Sequence, residues 1–96
     1  MAEKLLCWKG IIIHDQKSLE EKICRIKENN IGTRCVLVDL ENMIDLIDLK
    51  EYIQHIDQVI FLGSKPKIHT WYWIARLHLQ CEENNVPVYR NRSLVY

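Results

Sequence analysis

The chain has 96 residues, enough for one small domain, and its hydrophobic fraction of 48% is that of an ordinary globular protein. Thirteen basic and 13 acidic residues cancel, which argues against a dedicated duplex-binding protein with a basic face. No apolar segment approaches the roughly 18 residues that cross a bilayer, and no signal-peptide pattern follows Met1, so we expect a cytoplasmic protein without membrane partners.

The charges are unevenly distributed along the chain. Residues 1–57 carry 8 basic and 11 acidic side chains, whereas residues 58–96 carry 5 and 2. The two parts therefore have net charges of −3 and +3, a polarity that favours a charged partner.

The four cysteines show no paired spacing. None forms a C-x-x-C motif, and most lie in apolar, periodic segments, where cysteine behaves as a small hydrophobe. We expect all four to be reduced and unpaired: Cys7, Cys24, Cys35 and Cys81.

Two elements are predicted before the central strand. Residues 4–13 favour extended structure, either as one strand bent at Gly10 or as a hairpin turning there; the short length favours one strand. Ser18 and Glu21 form a capping-box pattern at the start of a helix. Its apolar face contains Leu19, Ile23 and Ile26, and residues 29–32 supply the stop.

A continuous apolar run, Cys35 to Val38, predicts a strand buried on both faces and ending at Asp39. A helix is predicted within residues 43–56, with Asp45 or Asp48 as its cap and residues 43–48 as a loop or a single turn. Residues 58–62 predict a second buried strand, and residues 63–67 a turn-rich loop.

The next helix is predicted over residues 68–85, with Trp71 in its buried arc and Tyr72 or Trp73 exposed. Residues 86–89 predict a last strand, with Pro87 at an edge or a strand start. The order β-α-β-α-β-α-β predicts one α/β domain over residues 1–96, with a four-stranded, mainly parallel sheet in two or three layers.

The segment Val36-Leu37-Val38-Asp39-Leu40-Glu41-Asn42 resembles the opening strand of PIN-like and NYN-type nuclease domains. Residues 59–68 are similar to the next strand and loop of that group, so the resemblance covers about residues 34–90. It implies metal-dependent RNA hydrolysis, with Asp39 as metal ligand and Glu41 and Asn42 as its neighbours. The later acid of those nucleases has no counterpart in residues 1–96.

Asp39, Glu41 and Asn42 carry the oxygen ligands that Mg²⁺ and Mn²⁺ prefer. Hydrolysis of a phosphodiester by bound metal needs further acids, for which Asp15, Asp45 and Asp48 are candidates. The alternative is that Asp39 caps a turn or the next helix, a common role for Asp after a strand.

A basic group is expected at the C-terminal edge of the sheet, where it either contacts phosphates, complements an acidic protein or serves only solubility. It comprises Lys65, Lys67, His69, Arg90 and Arg92. Tyr72 and Trp73 are candidate binding anchors beside it.

Three functions fit these features. We favour a small protein-binding or regulatory module, of the inhibitor or immunity-protein type, that needs no cofactor. A PIN-like ribonuclease using Mg²⁺ or Mn²⁺ and acting on RNA is the second hypothesis. The third is a STAS-like regulatory domain, because residues 36–40 loosely resemble the central strand of that family.

Overall fold

The computed structural model describes residues 10–28, 33–63 and 68–91 of the chain. Four parallel strands form one sheet, and their order across the sheet is their order in the sequence. The strands are β1 (Ile11–Ile13), β2 (Cys35–Asp39), β3 (Gln58–Leu62) and β4 (Val88–Asn91). The helices are α1 (Gln16–Lys27), between β1 and β2, and α2 (Thr70–Glu83), between β3 and β4. The predicted α/β class with a parallel sheet is confirmed.

Both helices lie on the same face of the sheet. Right-handed crossovers between neighbouring strands taken in sequence order place every connection on one face. The core agrees, because one buried cluster joins residues of both helices to alternate residues of the strands. The strand members of this cluster are Ile11, Ile13, Val36, Val38, Val59 and Phe61. Of the two predicted architectures, the described residues form the two-layer one.

The other face of the sheet carries a row of apolar side chains in register. Ile12, Leu37, Ile60 and Tyr89 lie side by side, one from each strand. Ile12 and Tyr89 are exposed at the two ends of the row, and the two central members are half-buried. Within the described ranges no helix covers this row.

The helix α1 begins one turn earlier than predicted, because Asp15 and Ser18 form the capping box instead of Ser18 and Glu21. Asp15 Oδ1 accepts a hydrogen bond from Ser18 N at 2.8 Å, and Asp15 N donates to Ser18 Oγ at 3.2 Å. These bonds pair N–H groups that would otherwise be unsatisfied at the helix start. The predicted apolar face is confirmed, since Leu19, Ile23 and Ile26 are buried.

The α-helix predicted within residues 43–56 is wrong. Only one 3₁₀ turn, Ile53–His55, forms in this connection between β2 and β3. We call residues 43–50 the crossover segment; Met43, Ile47 and Leu49 anchor it in the core.

Side chains replace the helical hydrogen bonds of the crossover segment. Asp48 N donates to Gln16 Oε1 at 2.6 Å, and Leu49 N donates to Gln80 Oε1 at 2.7 Å. Lys50 N donates to the carboxylate of Asp48 at 2.9 Å. Three consecutive N–H groups are thus bonded to side chains, two of them on α1 and α2, so the segment is fixed without being helical.

The C-terminal elements are shifted relative to the prediction, but their order is confirmed. Asn85 has a φ of 60° and terminates α2, in a conformation that Asn tolerates. Pro87 precedes the edge strand β4, as expected for a residue that cannot donate to a ladder. No helix in the described part of the chain is long and apolar enough to cross a membrane.

Several predictions lie outside the described residues. They are the extended segment over residues 4–9, the helix stop at residues 29–32, the loop over residues 64–67, and the thiol of Cys7. Cys24 is exposed and Cys81 is buried, and both are free thiols, as predicted. Cys35 is buried, and its Sγ accepts from Gln58 Nε2 at 3.0 Å.

Candidate functional site

The carboxyl ends of the four parallel strands meet at one edge of the sheet, which we call the C-terminal edge. Asp39 is the last residue of β2, Gly63 follows β3, and Arg90 lies near the end of β4. The chain enters α2 from the same edge. Ligands of open α/β sheets bind at this edge, so the predicted site residues Asp39 and Arg90 lie where such a site is expected.

Asp39 closes a turn with both of its carboxylate oxygens. Oδ1 accepts from Glu41 N at 3.2 Å, and Oδ2 accepts from Asn42 Nδ2 at 2.8 Å. This is the turn-forming role of Asp that the sequence left as the alternative to metal binding. Asn42 is itself exposed, and its amide donates to the carboxylate beside it.

Glu41 is half-buried and packs against Gly63. Gly63 has a φ of +112°, and a Cβ added there would lie 2.9 Å from Glu41 Cγ. Only glycine adopts this φ without strain and leaves room for the Glu41 side chain. The glycine that follows β3 therefore makes room for the Glu41 side chain.

The three further acids proposed as metal ligands have other bonds. Asp15 caps α1, and Asp45 Oδ1 accepts from Gln16 N at 3.2 Å. Asp48 Oδ1 accepts from Gln80 Nε2 at 2.8 Å as well as from Lys50 N. Each of these carboxylates therefore has a structural role: Asp15 caps its own helix, and Asp45 and Asp48 bond the crossover segment to α1 and α2.

The donor set does not fit a metal centre built from these acids. Among residues 10–28, 33–63 and 68–91, no three His, Cys, Asp or Glu side chains come close enough together to hold a metal ion. Asp39, the predicted ligand, already accepts two hydrogen bonds within its own turn.

The entry to α2 exposes large apolar side chains. Ile68 is 86% exposed, Trp71 48% and Tyr72 63%. Trp71 N donates to Ile68 O at 3.3 Å, so the chain already turns at Ile68. Ile68 precedes Trp71 and Tyr72 by three and four residues, the spacings at which side chains of a helical turn are neighbours, so Ile68 lies next to both aromatic residues.

Arg90 of β4 packs against this turn. Its guanidinium carbon lies 5.5 Å from the centre of the Trp71 ring, a cation–π distance. In the described part of the chain no carboxylate pairs with Arg90. We call Ile68, Trp71, Tyr72 and Arg90 together the α2 turn patch.

The prediction that Trp71 belongs to the core is wrong. The buried stripe of α2 starts one residue earlier, with Thr70, and continues through Ile74, Leu77 and Cys81. At about 100° per residue Trp71 points away from that stripe. Trp73 is half-buried against the core, and its ring meets His69 edge-on at 5.4 Å between centroids. Of the two predicted anchors, Tyr72 is exposed and Trp73 is not.

Three of the predicted basic residues, Lys65, Lys67 and Arg92, lie outside the described residues. Sequence reasoning missed the exposure of Ile68 and the pairing of Arg90 with Trp71. The exposure of Ile68 could have been predicted, because the buried stripe of α2 at i, i+4, i+7 and i+11 begins at Thr70 and does not include Ile68. The pairing brings together residues 19 positions apart in the sequence, and no local pattern announces it.

Shifted pKa values mark structural contacts. Hydrogen bonds from Ser18, the backbone one foremost, lower the pKa of Asp15, and the bond from Gln80 is the main cause that lowers the pKa of Asp48. The guanidinium of Arg34 lowers the pKa of Asp57, with Nη2 3.1 Å from Oδ1. Burial raises the pKa of Cys81 to about 11, so its thiol is protonated at neutral pH.

The geometry defines a two-layer α/β domain with an exposed aromatic and cationic surface at the C-terminal edge of its sheet. No protein-family model matches the chain, and neither a curated protein nor a solved structure shows significant similarity to it.

Proposed function

We propose that the chain is a small protein-binding domain of regulatory type, such as an inhibitor or immunity protein, and that the α2 turn patch contacts the partner. The observation that carries the proposal is the exposure of Ile68, Trp71 and Tyr72 on one turn, next to Arg90. Trp, Tyr and Arg are the residues that most often dominate the binding energy of protein interfaces.

The packing of the patch supports the same function. Arg90 packs on one face of the Trp71 ring, so each of the two side chains already restricts the motion of the other before a partner binds. Ordering a rotamer-rich side chain at an interface costs about 0.5–1.5 kcal/mol, and a surface that is already ordered avoids part of this cost.

Site-specific crosslinking tests the proposal. A photoreactive phenylalanine derivative in place of Tyr72 keeps an aromatic ring in the patch and captures the bound protein in cells that express the chain. The captured protein is identified by mass spectrometry, purified and titrated against the unmodified chain, Trp71→Ala and Leu79→Ala. Leu79 is a matched control, because it lies two turns further along α2 and is 47% exposed.

We expect Trp71→Ala to weaken binding by about 2 kcal/mol, roughly thirtyfold, and Leu79→Ala to change it less than about twofold. Circular dichroism must show the same helix content for all three chains. A partner that binds Trp71→Ala as tightly as the unmodified chain contradicts the proposal.

The second proposal is a ribonuclease of the PIN-like kind, which would use Mg²⁺ or Mn²⁺. Its support is the place of Asp39 and Glu41 at the C-terminal edge. The hydrogen bonds of Asp39 favour the first proposal, since a metal would have to compete with two donors. We expect RNA incubated with Mn²⁺ and the purified chain to degrade no faster than with Asp39→Asn. Cleavage that needs Mn²⁺ and disappears in Asp39→Asn would reverse the order of the two proposals.

A further inference from the structure

Resting on the proposed function, we infer that the partner of the α2 turn patch is an acidic peptide segment, in which a carboxylate binds Arg90 and a neighbouring apolar side chain packs on Ile68 and Trp71. The segment is part of another protein.

The guanidinium of Arg90 is the first reason. A cation held over an aromatic ring keeps its charge and its outward N–H groups, and guanidinium presents them as a planar fork that fits a carboxylate. The structure shows Arg90 exposed, stacked on Trp71 and, among the described residues, not paired with a carboxylate. Its N–H groups are therefore available to donate hydrogen bonds to a carboxylate of another molecule.

The surroundings of Arg90 are the second reason. The first turn of α2 contains no acidic residue, and the side chain of His69 does not cap its N–H groups. Helix N-termini carry partial positive charge, which adds to that of Arg90. The acids of α2, Glu82 and Glu83, lie in its last turn, about 16–18 Å away along the axis, beyond the screening length of about 8–10 Å.

Asp39 and Glu41 follow β2 at the same edge, and Asp15 follows β1, one strand further from β4. The strand β2 is two strands away from β4, or about 10 Å at the usual strand spacing, whereas the Glu41 side chain reaches Gly63, the residue after β3. The carboxylate of Asp39 is bonded within its own turn, and Glu41 packs on Gly63. Neither of these carboxylates pairs with Arg90, so a carboxylate of an acidic segment is complementary to its guanidinium.

A peptide fits the patch better than single-stranded RNA does. Bases bind such proteins by stacking on free aromatic faces along a groove with several cations. Here Arg90 already covers one face of Trp71. Arg90 is also the one cation of the patch, and the whole chain has no excess of basic residues. A single carboxylate needs only one guanidinium.

The test is selection from a random dodecapeptide library displayed on phage. The library is selected on the unmodified chain, Trp71→Ala, Arg90→Gln, Arg90→Glu and Arg76→Gln. Arg76 is the matched control, an exposed arginine one turn beyond Tyr72 on the same helix. Each variant is first checked for an unchanged circular-dichroism spectrum and melting temperature.

We expect the unmodified chain and Arg76→Gln to enrich the same peptides, with Asp or Glu next to a large apolar residue. Arg90→Gln should lose the acidic preference, and Arg90→Glu should reverse it toward Lys and Arg. The best acidic peptide should bind Arg90→Gln about tenfold more weakly at low salt, with a smaller difference at high salt.

The failures are distinguishable. Peptides that depend on Trp71 but carry no acidic residue overturn this inference and leave the proposed function standing. If no enriched peptide depends on Trp71, the proposed function fails, and the inference fails with it. Oligouridylate that binds the unmodified chain and displaces the selected peptide overturns the inference in favour of a nucleic-acid surface.

Discussion

Thr70 begins α2 with a buried hydroxyl group. The residue is fully buried, and its Oγ1 has no hydrogen-bond partner among the described residues. Such a group costs free energy, because burial removes its water partners without replacing them. The hydroxyl lies at the head of the buried stripe of α2, where an apolar side chain of the same shape would fit.

We predict that Thr70→Val raises the free energy of unfolding by about 1 kcal/mol, since it replaces the unpaired hydroxyl by a methyl group. Thr70→Ser is the matched control. It keeps the hydroxyl and removes a methyl group, so it should lower the free energy of unfolding by about 1 kcal/mol. Urea denaturation of the three chains measures both changes. A Thr70→Val variant less stable than the unmodified chain would mean that the hydroxyl makes a needed bond.

The crossover segment shows how an element is fixed by residues far from it in the sequence. The continuous apolar runs were sufficient to predict β2 and β3, and a periodic face was sufficient to predict α1. Residues 49–56 also have helical spacing, yet they form only one 3₁₀ turn, and Asp48 N and Leu49 N donate to Gln16 and Gln80 across 32 and 31 positions. The site was also predictable only in part. The positions of Asp39 and Arg90 at the C-terminal edge follow from the predicted strand ends, whereas the contact of Arg90 with Trp71 depends on packing.

The bonds of Gln80 lead to a prediction for this element. Gln80→Ala removes the acceptor of Leu49 N and the donor to Asp48, and leaves the part-buried N–H of Leu49 without that bond. We expect the free energy of unfolding to fall by about 2 kcal/mol. Hydrogen exchange at the amide of Leu49 should accelerate as well. Glu83→Ala, one turn further along the helix and exposed, is the control and should leave that exchange rate unchanged.

Acid should weaken the contacts between elements. The folded pKa values of Asp15, Asp48 and Asp57 are lowered. Each carboxylate therefore stabilises the fold above its unfolded pKa, near 3.8, and this stabilisation is lost as the pH falls through the lower folded value. We expect the free energy of unfolding to decrease below about pH 4.

Urea denaturation across a pH series measures this dependence. Asp57→Asn, which keeps the size and loses the charge, should show a shallower decrease in acid. Near neutral pH it should be less stable by no more than about 1 kcal/mol, because the pair with Arg34 is partly exposed. Stability that increases on acidification would contradict the assignment of these contacts.

At the scale of the whole molecule, the sheet has two different faces. Parallel sheets are usually covered on both faces, since their crossovers pack against them. Here the strand order places both helices on one face, and the row containing Ile12, Leu37, Ile60 and Tyr89 lies on the other.

The edge of the sheet formed by β1 carries a charged side chain. Lys22 of α1 donates a hydrogen bond to Ile12 O at 2.7 Å. A charged side chain at an edge strand opposes pairing with another chain.

Two adjacent residues of β1 test the two-layer architecture directly. Ile13 is fully buried in the core, whereas Ile12 lies on the opposite face and is 40% exposed. The two side chains have the same size and nearly the same place in the sequence, so they differ mainly in what covers them. We predict that Ile13→Ala lowers the free energy of unfolding by about 2–5 kcal/mol and Ile12→Ala by only about 1 kcal/mol. Equal losses in urea denaturation would mean that both faces are packed alike and that the domain has three layers.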